Sequence, residues 1–384
     1  MEQDMWQQIE PWMQEIRRKI HRFPELGLET PHTQGIIEEA LDFLNIRHRR
    51  LITTGVAAII GEGAQGPAML LRADMDALPI LETTQLPFSS EIPGRMHACG
   101  HDTHTAMLLG AAYYLKQHES QLQHPVVLMF QPGEEGPGGA LPMIEAGILE
   151  DPPVSRAVMV HVDSDLPAGV IGLFSGPAMA SPNDFAITVR GRGGHGAHPD
   201  KTVDAIVAAC AIVQACQTLV SREEDPTDPL VVTFGTICGG YRENVIADTV
   251  ELTGTIRILS PEHLEKTLAR FDSFVSQIAQ AYRAQVDIRM QRGYPPLVAD
   301  PAFTAQVETV LAEQLGQGSV VMLARPSMGA EDFAYIAERV PATNLHVGVV
   351  GPDFVTGIHS AGFNPDERAL RTGAEAFAAI AMTV

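Results

Sequence analysis

Residues 103–131 read THTAMLLGAAYYLKQHESQLQHPVVLMFQ, and the change of pattern inside this stretch decides the fold. From Thr103 to Gln117 the apolar residues recur at helical spacing, which predicts a helix. Pro125 then opens an apolar run, PVVLMFQ, whose length suits a buried strand. A second helix around 139–148 and a second apolar strand, RAVMVHV at 156–162, repeat the alternation. Such alternation predicts an α/β sheet covered by helices.

Upstream, residues 6–22 and 31–46 carry helical spacing on either side of the breaker PELG. GVAAII (55–60) and AMLLRAD (68–74) read as two strands of a hairpin joined by GEGAQGP. The linker formally matches the dinucleotide pattern GxGxxG, but Pro67 and a strand follow it where that motif needs a helix, so nucleotide binding is rejected. Downstream, residues 182–294 change character. Strand DFAITVRG, a helix over 202–221, strands LVVTFGTI and TVELTGTIRI, a helix over 262–283 and strand QVDIRM predict a mostly antiparallel four-stranded sheet with two helices. From 301 onward helix and strand alternate again, ending in an apolar helix over 368–382. The expected organisation is a discontinuous domain, 1–181 with 295–384, interrupted by an inserted α+β domain, 182–294.

The chain has 384 residues, 45% of them apolar and 19% charged, an ordinary globular balance. Its formal net charge of −21 argues against nucleic acid as a partner, since phosphate backbones are held by clustered Lys and Arg. The N-terminus lacks the basic-then-apolar order of a signal peptide and no run of about 18 apolar residues is seen, so a cytoplasmic address without membrane is expected. Of four cysteines, Cys210, Cys216 and Cys238 read as small core residues, and only Cys99 has polar company.

Polar clusters fall where predicted strands end, the positions an α/β sheet holds rigidly around its crevice. They are Asp74 and Asp76 in LRADMDALP, Cys99, His101 and Asp102 in ACGHD, Glu134 and Glu135 in FQPGEEGPGGA, and His161 in MVHVDSDLP, with His359 in GIHSAGFNPDE as a fifth. Taken singly, each has a plain reading: paired glutamates are commonly solvated, and a lone buried His is commonly a satisfied core group. Cys99 and His101, two apart on extended backbone, would face the same side and could hold metal. The rival is a Cys99 nucleophile activated by His101, which needs an electropositive setting; the many carboxylates would raise the thiol pKa and favour metal. Two-metal hydrolysis also needs a spare base, and neighbouring glutamates on extended backbone would point apart, one to metal and one to water.

Eight motifs carry a resemblance along nearly the whole chain: HRFPELGLE (21–29), LRADMDALPI (71–80), MHACGHDTHTAMLLGAA (96–112), FQPGEEGPGGA (130–140), GRGGHGAHPDKTVD (191–204), ENVIADTVELTGTIR (243–257), MGAEDFAY (328–335) and HSAGFNPDE (359–367). The chain resembles the M20 peptidase family, in its amidohydrolase subfamily of N-acyl-amino-acid deacylases: aminoacylase, hippurate hydrolase, N-acetyldiaminopimelate deacetylase and the plant auxin-conjugate hydrolases. The resemblance implies a zinc-peptidase-like mixed sheet with helices on both faces as the catalytic domain, and an inserted dimerisation or lid domain. It implies that Cys99, His101, Glu135, His161 and His359 ligate two divalent metals (Zn, Mn, Co or Ni), with Cys99 bridging. Glu134 becomes the general base, although sequence cannot say which glutamate of the pair faces water. Asp74 matches the family's active-site aspartate; Arg72 stands two residues before it where other branches have a metal-binding His, so Asp74 takes an orienting role. His195 matches a His that stabilises the oxyanion, often in the partner subunit's site. Asn244 and Arg257 match holders of the substrate carboxylate, and Glu331 lines the site. His97, Asp102 and His104 shape the ligand loop; His21 and His32 are structural.

The implied reaction is hydrolysis of small N-acyl-L-amino acids by a homodimer. N-acetyl-L,L-diaminopimelate deacetylation is the alternative within the class. A thiol hydrolase using Cys99 and His101, or a non-catalytic acyl-amino-acid-binding protein, are the alternatives outside it.

Overall fold

The computed structural model describes residues 3–384. By contact density the chain divides into two units: Met1–Gly176 with Val298–Arg325 and Tyr335–Val384, and Pro177–Leu297 with Pro326–Ala334.

The larger unit begins with helices α1 (Gln3–Arg22) and α2 (Pro31–Phe43) and strands β1 (Arg47–Leu51), β2 (Gly55–Ile60) and β3 (Ala68–Asp74). Helix α3 (His101–Gln117), β4 (Val126–Gln131), α4 (Ala140–Glu145), β5 (Val154–Pro167) and β6 (Ile171–Leu173) follow. An eight-stranded sheet forms in the order β1, β2, β4, β3, β5, Ala342–Val350, β6, Val320–Met322. It is mixed: β3 runs parallel to both β4 and β5, whereas β2 runs antiparallel to β1 and β4. The expected 55–74 hairpin is therefore wrong, because β4 lies between its two strands. β2 is paired instead through β1, whose sequence RHRRL carries no apolar alternation to announce a strand.

Every residue of β3 and β4 is buried, as strands in the middle of a covered sheet require. Helix α3 is buried along 14 of its 17 residues, its first turn included. His101, Asp102, Thr103, His104 and Thr105 are thus polar groups inside the core, and each needs an internal partner. The helix starts two residues before the sequence pattern suggests, at His101. Gly100 sets that start: its φ of 85° is left-handed, and a Cβ there would lie 2.7 Å from Val162 Cγ2.

In the smaller unit, Ser181–Arg190 pairs antiparallel with Thr249–Ile258 and Gln285–Arg292, and Leu230–Gly239 closes one edge. Helices α5 (Ala205–Thr218) and α6 (Pro261–Ala281) complete a second core around Phe185, Ile212, Leu252 and Phe271. Pro326–Ala334 joins this unit through main-chain bonds, Ala180 N–H to the Gly329 carbonyl at 2.9 Å and Ser327 N–H to the Ala178 carbonyl at 2.9 Å. Cys216 is buried as expected, but Cys210 and Cys238 are exposed, on the outer face of α5 and on the edge strand. Ala205–Glu223 is long and apolar enough to cross a membrane by length and composition, which the sequence reading overlooked; here Ala205, Ala208, Ala209, Ile212, Cys216 and Leu219 pack into the unit's core.

Candidate metal centre

Four strand or helix ends of the larger unit converge on His101. Its Nε2 lies 3.7 Å from Asp74 Oδ2, 3.9 Å from Glu134 Oε2 and 4.0 Å from Glu135 Oε1, and its Nδ1 lies 3.4 Å from Asp76 Oδ1. Both ring nitrogens are buried; Nδ1 faces Asp76, whereas Nε2 makes no hydrogen bond. Cys99 Sγ is 3.5 Å from His161 Nε2, and His359 Nε2 is 3.0 Å from Glu135 Oε1. Donor atoms of Cys99, His101 and His161 lie within 4.8 Å of one another, as do those of Cys99, Glu135 and His359.

Local geometry differs from the extended backbone the sequence suggested. Cys99 lies in a turn, and residues 134–137 form another, so the two glutamate carboxylates converge on His101 rather than splaying apart. Asp76 causes this: its Oδ1 accepts the Glu134 N–H at 3.0 Å and its Oδ2 the Glu135 N–H at 3.2 Å. Gly133, at φ 80°, lets the chain leave β4 into that turn. His359 also holds a left-handed φ, 59°, unusual for a side chain with Cβ, and its N–H donates to the Ala98 carbonyl at 2.7 Å. Backbone strain of this kind persists where surrounding contacts enforce it, and it gathers at functional sites.

Hydrogen bonds separate ligands from supports. His161 Nδ1 donates to the Val162 carbonyl at 2.8 Å, which leaves the Nε2 lone pair directed at Cys99. His104 uses both nitrogens: Nε2 accepts the Val162 N–H at 2.8 Å, so Nδ1 carries the proton given to Asp74 Oδ1 at 2.6 Å. His104 therefore has no lone pair to offer. Asp74 is likewise committed, with Oδ2 accepting from Arg72 Nη1 at 2.8 Å. Asp102, one residue past His101, accepts from Arg17 Nε at 3.1 Å and His21 Nδ1 at 2.8 Å, tying the start of α3 to α1.

Titration behaviour follows from this crowding. Burial pushes the Cys99 thiol well up, and Glu135, Glu134 and Asp74 push it further. Burial alone would discharge His101, but Asp74, Asp76 and Glu135 outweigh it and raise the imidazole to about 10. A field that retains a proton there equally favours a cation in its place. Burial, with His104 beside it, lowers His161 to about 3 and keeps it neutral, the form that binds metal. An unpartnered Nε2 on His101, a His161 Nε2 lone pair directed at Cys99, a thiol that only a cation would ionise and facing carboxylates together fit divalent metal.

The remaining sequence candidates lie in the smaller unit. His195 is exposed and pairs with Val245, and the Ala197 N–H donates to its Nδ1 at 3.1 Å, leaving the ring proton on Nε2. Asn244 is exposed beside it, its carbonyl accepting the Gly196 N–H at 2.8 Å. Arg257 is at the other end of the sheet: it stands opposite Pro182, whereas Thr249, eight residues back on the same strand, stands opposite Arg190 on the His195 side. That is roughly 26 Å of strand. Arg257 and Asn244, expected to hold one carboxylate, are thus apart within a single chain. Glu331 is buried and accepts the Phe333 N–H at 3.0 Å. The sequence nominated Asp76 beside Asp74 among the strand-end polar clusters without a specific role, and nothing in the sequence signalled Gln131, which accepts from Arg72 Nε at 2.9 Å.

The model of peptidase family M20/M25/M40 matches residues 70–383. The chain belongs to this family. It is 38% identical to thermostable carboxypeptidase 1 of Saccharolobus solfataricus, covering 98% of this chain and 96% of that one. With N-acetyldiaminopimelate deacetylase of Bacillus subtilis it shares 37% identity over 93% of this chain and 94% of the other. Among solved structures, a dinuclear metal-binding M20-family peptidase of Bacillus subtilis is 33% identical, with a TM-score of 0.86 and 98% of each chain covered. The M20-family chain is thus an α/β metallo-hydrolase, and its cofactor is a divalent metal.

Proposed function

We propose that this M20-family chain hydrolyses the amide bond of N-acyl-L-amino acids, releasing a carboxylate and a free amino acid. The observation that carries the reading is His101: a buried imidazole whose Nδ1 faces Asp76 and whose Nε2, without a hydrogen bond, is faced by Glu134 and Glu135. Cys99, His101, Glu135, His161 and His359 would hold two divalent ions, Cys99 being common to two of the donor groups they form. When bound, such a pair supplies Lewis acidity to the amide carbonyl and acidity to water. Glu134 removes the proton from the attacking water and returns it to the leaving nitrogen. Asp74, fixed by Arg72, orients His104, which supports the strand carrying His161. His195 Nε2–H donates to the developing oxyanion, Asn244 and Arg257 hold the α-carboxylate, and Glu331 lines the substrate space.

The discontinuous unit is the catalytic domain and the inserted unit joins two copies as a homodimer. Ile206, Val207, Ile237, Tyr241 and Val245 support this, being exposed apolar residues on α5, on the edge strand Leu230–Gly239 and beside them. The distance between Arg257 and the His195–Asn244 pair supports it as well, since a second copy can supply what one chain separates. N-acetyl-L,L-diaminopimelate deacetylation is kept as a second reading on the 37% identity to that deacetylase.

Chelation abolishes turnover in this reading, and Mn, Co, Ni or Zn restores it. Undiminished turnover in metal-free protein, or its loss to iodoacetamide with resistance to chelator, returns the thiol mechanism. A screen of acetyl, benzoyl and longer acyl amino acids, N-acetyldiaminopimelate included, separates the two substrate readings. Ligand binding without product from any of them leaves a binding protein.

A further inference from the structure

At the β1 edge the larger unit carries a cavity of about 270 Å³ that shares no residue with the metal centre. Arg47, His48, Arg49 and Asp151 supply its polar walls, and Ala57, Ile59, Val127 and Ile148 its apolar ones. The register explains the arrangement. Arg47 stands opposite Ile59, which stands opposite Val127, and Arg49 stands opposite Ala57. Directly opposed residues of antiparallel strands share a face, so the two arginines project beside an apolar floor.

The charge is out of keeping with the rest of the chain. In a protein of net charge −21, residues 47–50 are Arg-His-Arg-Arg. Arg47 is paired with Glu62 and Arg50 with Glu38. Arg49 has no ion pair among the described residues and makes one long hydrogen bond, 3.4 Å to the Gly147 carbonyl. Its guanidinium is the cation left for a ligand, and its planar fork suits a carboxylate. Asp151 opposes a second negative charge and so disfavours phosphate or a dicarboxylate. Ile59 is the partly exposed part of the apolar wall, with Ala57, Val127 and Ile148 buried around it, and a hydrated anion would leave that apolar surface in water. A volume at the small end of ligand pockets limits the guest to about the size of benzoate.

We propose that this cavity binds a small monocarboxylate with an apolar body, the carboxylate on Arg49 and the body against Ala57, Ile59, Val127 and Ile148.

The test is calorimetric titration of the metal-loaded 384-residue chain with benzoate, hexanoate and inorganic phosphate, repeated on Arg49→Glu and Arg49→Gln, with circular dichroism to verify folding. Both carboxylates are expected to bind at least tenfold more tightly than phosphate. Arg49→Glu should weaken them at least tenfold, Arg49→Gln should weaken them less, and amide hydrolysis should stay unchanged in both. Absence of binding, or binding undiminished in both variants, overturns the site. Phosphate affinity equal to that of benzoate overturns the apolar-bodied ligand.

Discussion

Arg72 Nη1 donates to Asp74 Oδ2 across 2.8 Å with both side chains fully buried. Nearby imidazoles and Arg72 overcome the burial that would otherwise raise the Asp74 carboxyl, and they hold it well below its usual range. Removing the guanidinium and keeping the carboxylate leaves a charge in the core with one strong partner fewer. Arg72→Met is expected to lower the free energy of unfolding by about 3–5 kcal/mol, the scale for breaking one side of a buried pair. Urea denaturation of chelator-treated protein reads this directly. A loss within the 0–1 kcal/mol range of exposed pairs would mean that Asp74 is held by other groups.

Asp76 shapes the turn that carries Glu134 and Glu135 by accepting both of their N–H groups, and it also faces His101 Nδ1 at 3.4 Å. An amide has one acceptor oxygen where the carboxylate has two. Asp76→Asn should therefore release one of the two N–H groups and loosen both glutamates at once. Misplacement of reacting groups by about 1 Å costs on the order of a hundredfold. A fall in kcat of at least tenfold is expected with KM little changed, and equal kcat for the variant would remove Asp76 from the site.

How much of this was legible beforehand depended on the range of the signal. The helix from Thr103, the strands at 126–131 and 156–162 and the four antiparallel strands of the smaller unit follow from apolar spacing, which acts over a few residues. Strand order does not. The insertion of β4 between β2 and β3 is set by packing across some 70 residues, and the hairpin expectation failed for that reason. At the centre, residue types and strand-end positions nominated Cys99, His101, Glu134, Glu135, His161 and His359, and these come together. The left-handed φ of His359 and the turn at Glu134 were invisible, because both are imposed by contacts with Ala98 and Asp76 from distant segments. Arg257 and Asn244 matched motifs equally well, yet motifs carry no information about which end of a sheet each residue occupies.

Glu82 gives a pH signature separate from the candidate metal centre. Burial would raise its carboxyl, but hydrogen bonds from His21, Thr84 and the Ser90 N–H outweigh it and bring it to about 2, from an ordinary 4.5. A depressed carboxylate stabilises the fold fully above its unfolded pKa, and this contribution is lost as pH falls through the folded value. Chelator-treated protein should thus lose stability from about pH 5 down to about pH 2, and Glu82→Gln should flatten part of that slope. Identical slopes for the two proteins would assign the acid sensitivity elsewhere.

In the proposed mechanism Glu134→Gln removes the base and retains the ligands, so turnover should fall by at least a hundredfold while metal content stays near two per chain. Undiminished turnover would transfer the role to Glu135.

Subunit mixing distinguishes a site completed by a second copy from one built within a single chain. His195 and Glu134 belong to different units of the chain. If His195 serves the partner's centre, a heterodimer of His195→Ala and Glu134→Gln has one centre bearing both lesions and one bearing neither. Random reassociation makes half of the dimers mixed and half of their centres intact, so about a quarter of wild-type activity should return from two inactive parents. If His195 serves its own chain, every centre in the mixture carries exactly one lesion and no activity returns. Light scattering verifies that dimers are present and co-purification of differently tagged subunits verifies exchange, so a silent mixture of exchanged heterodimers would assign His195 to its own subunit.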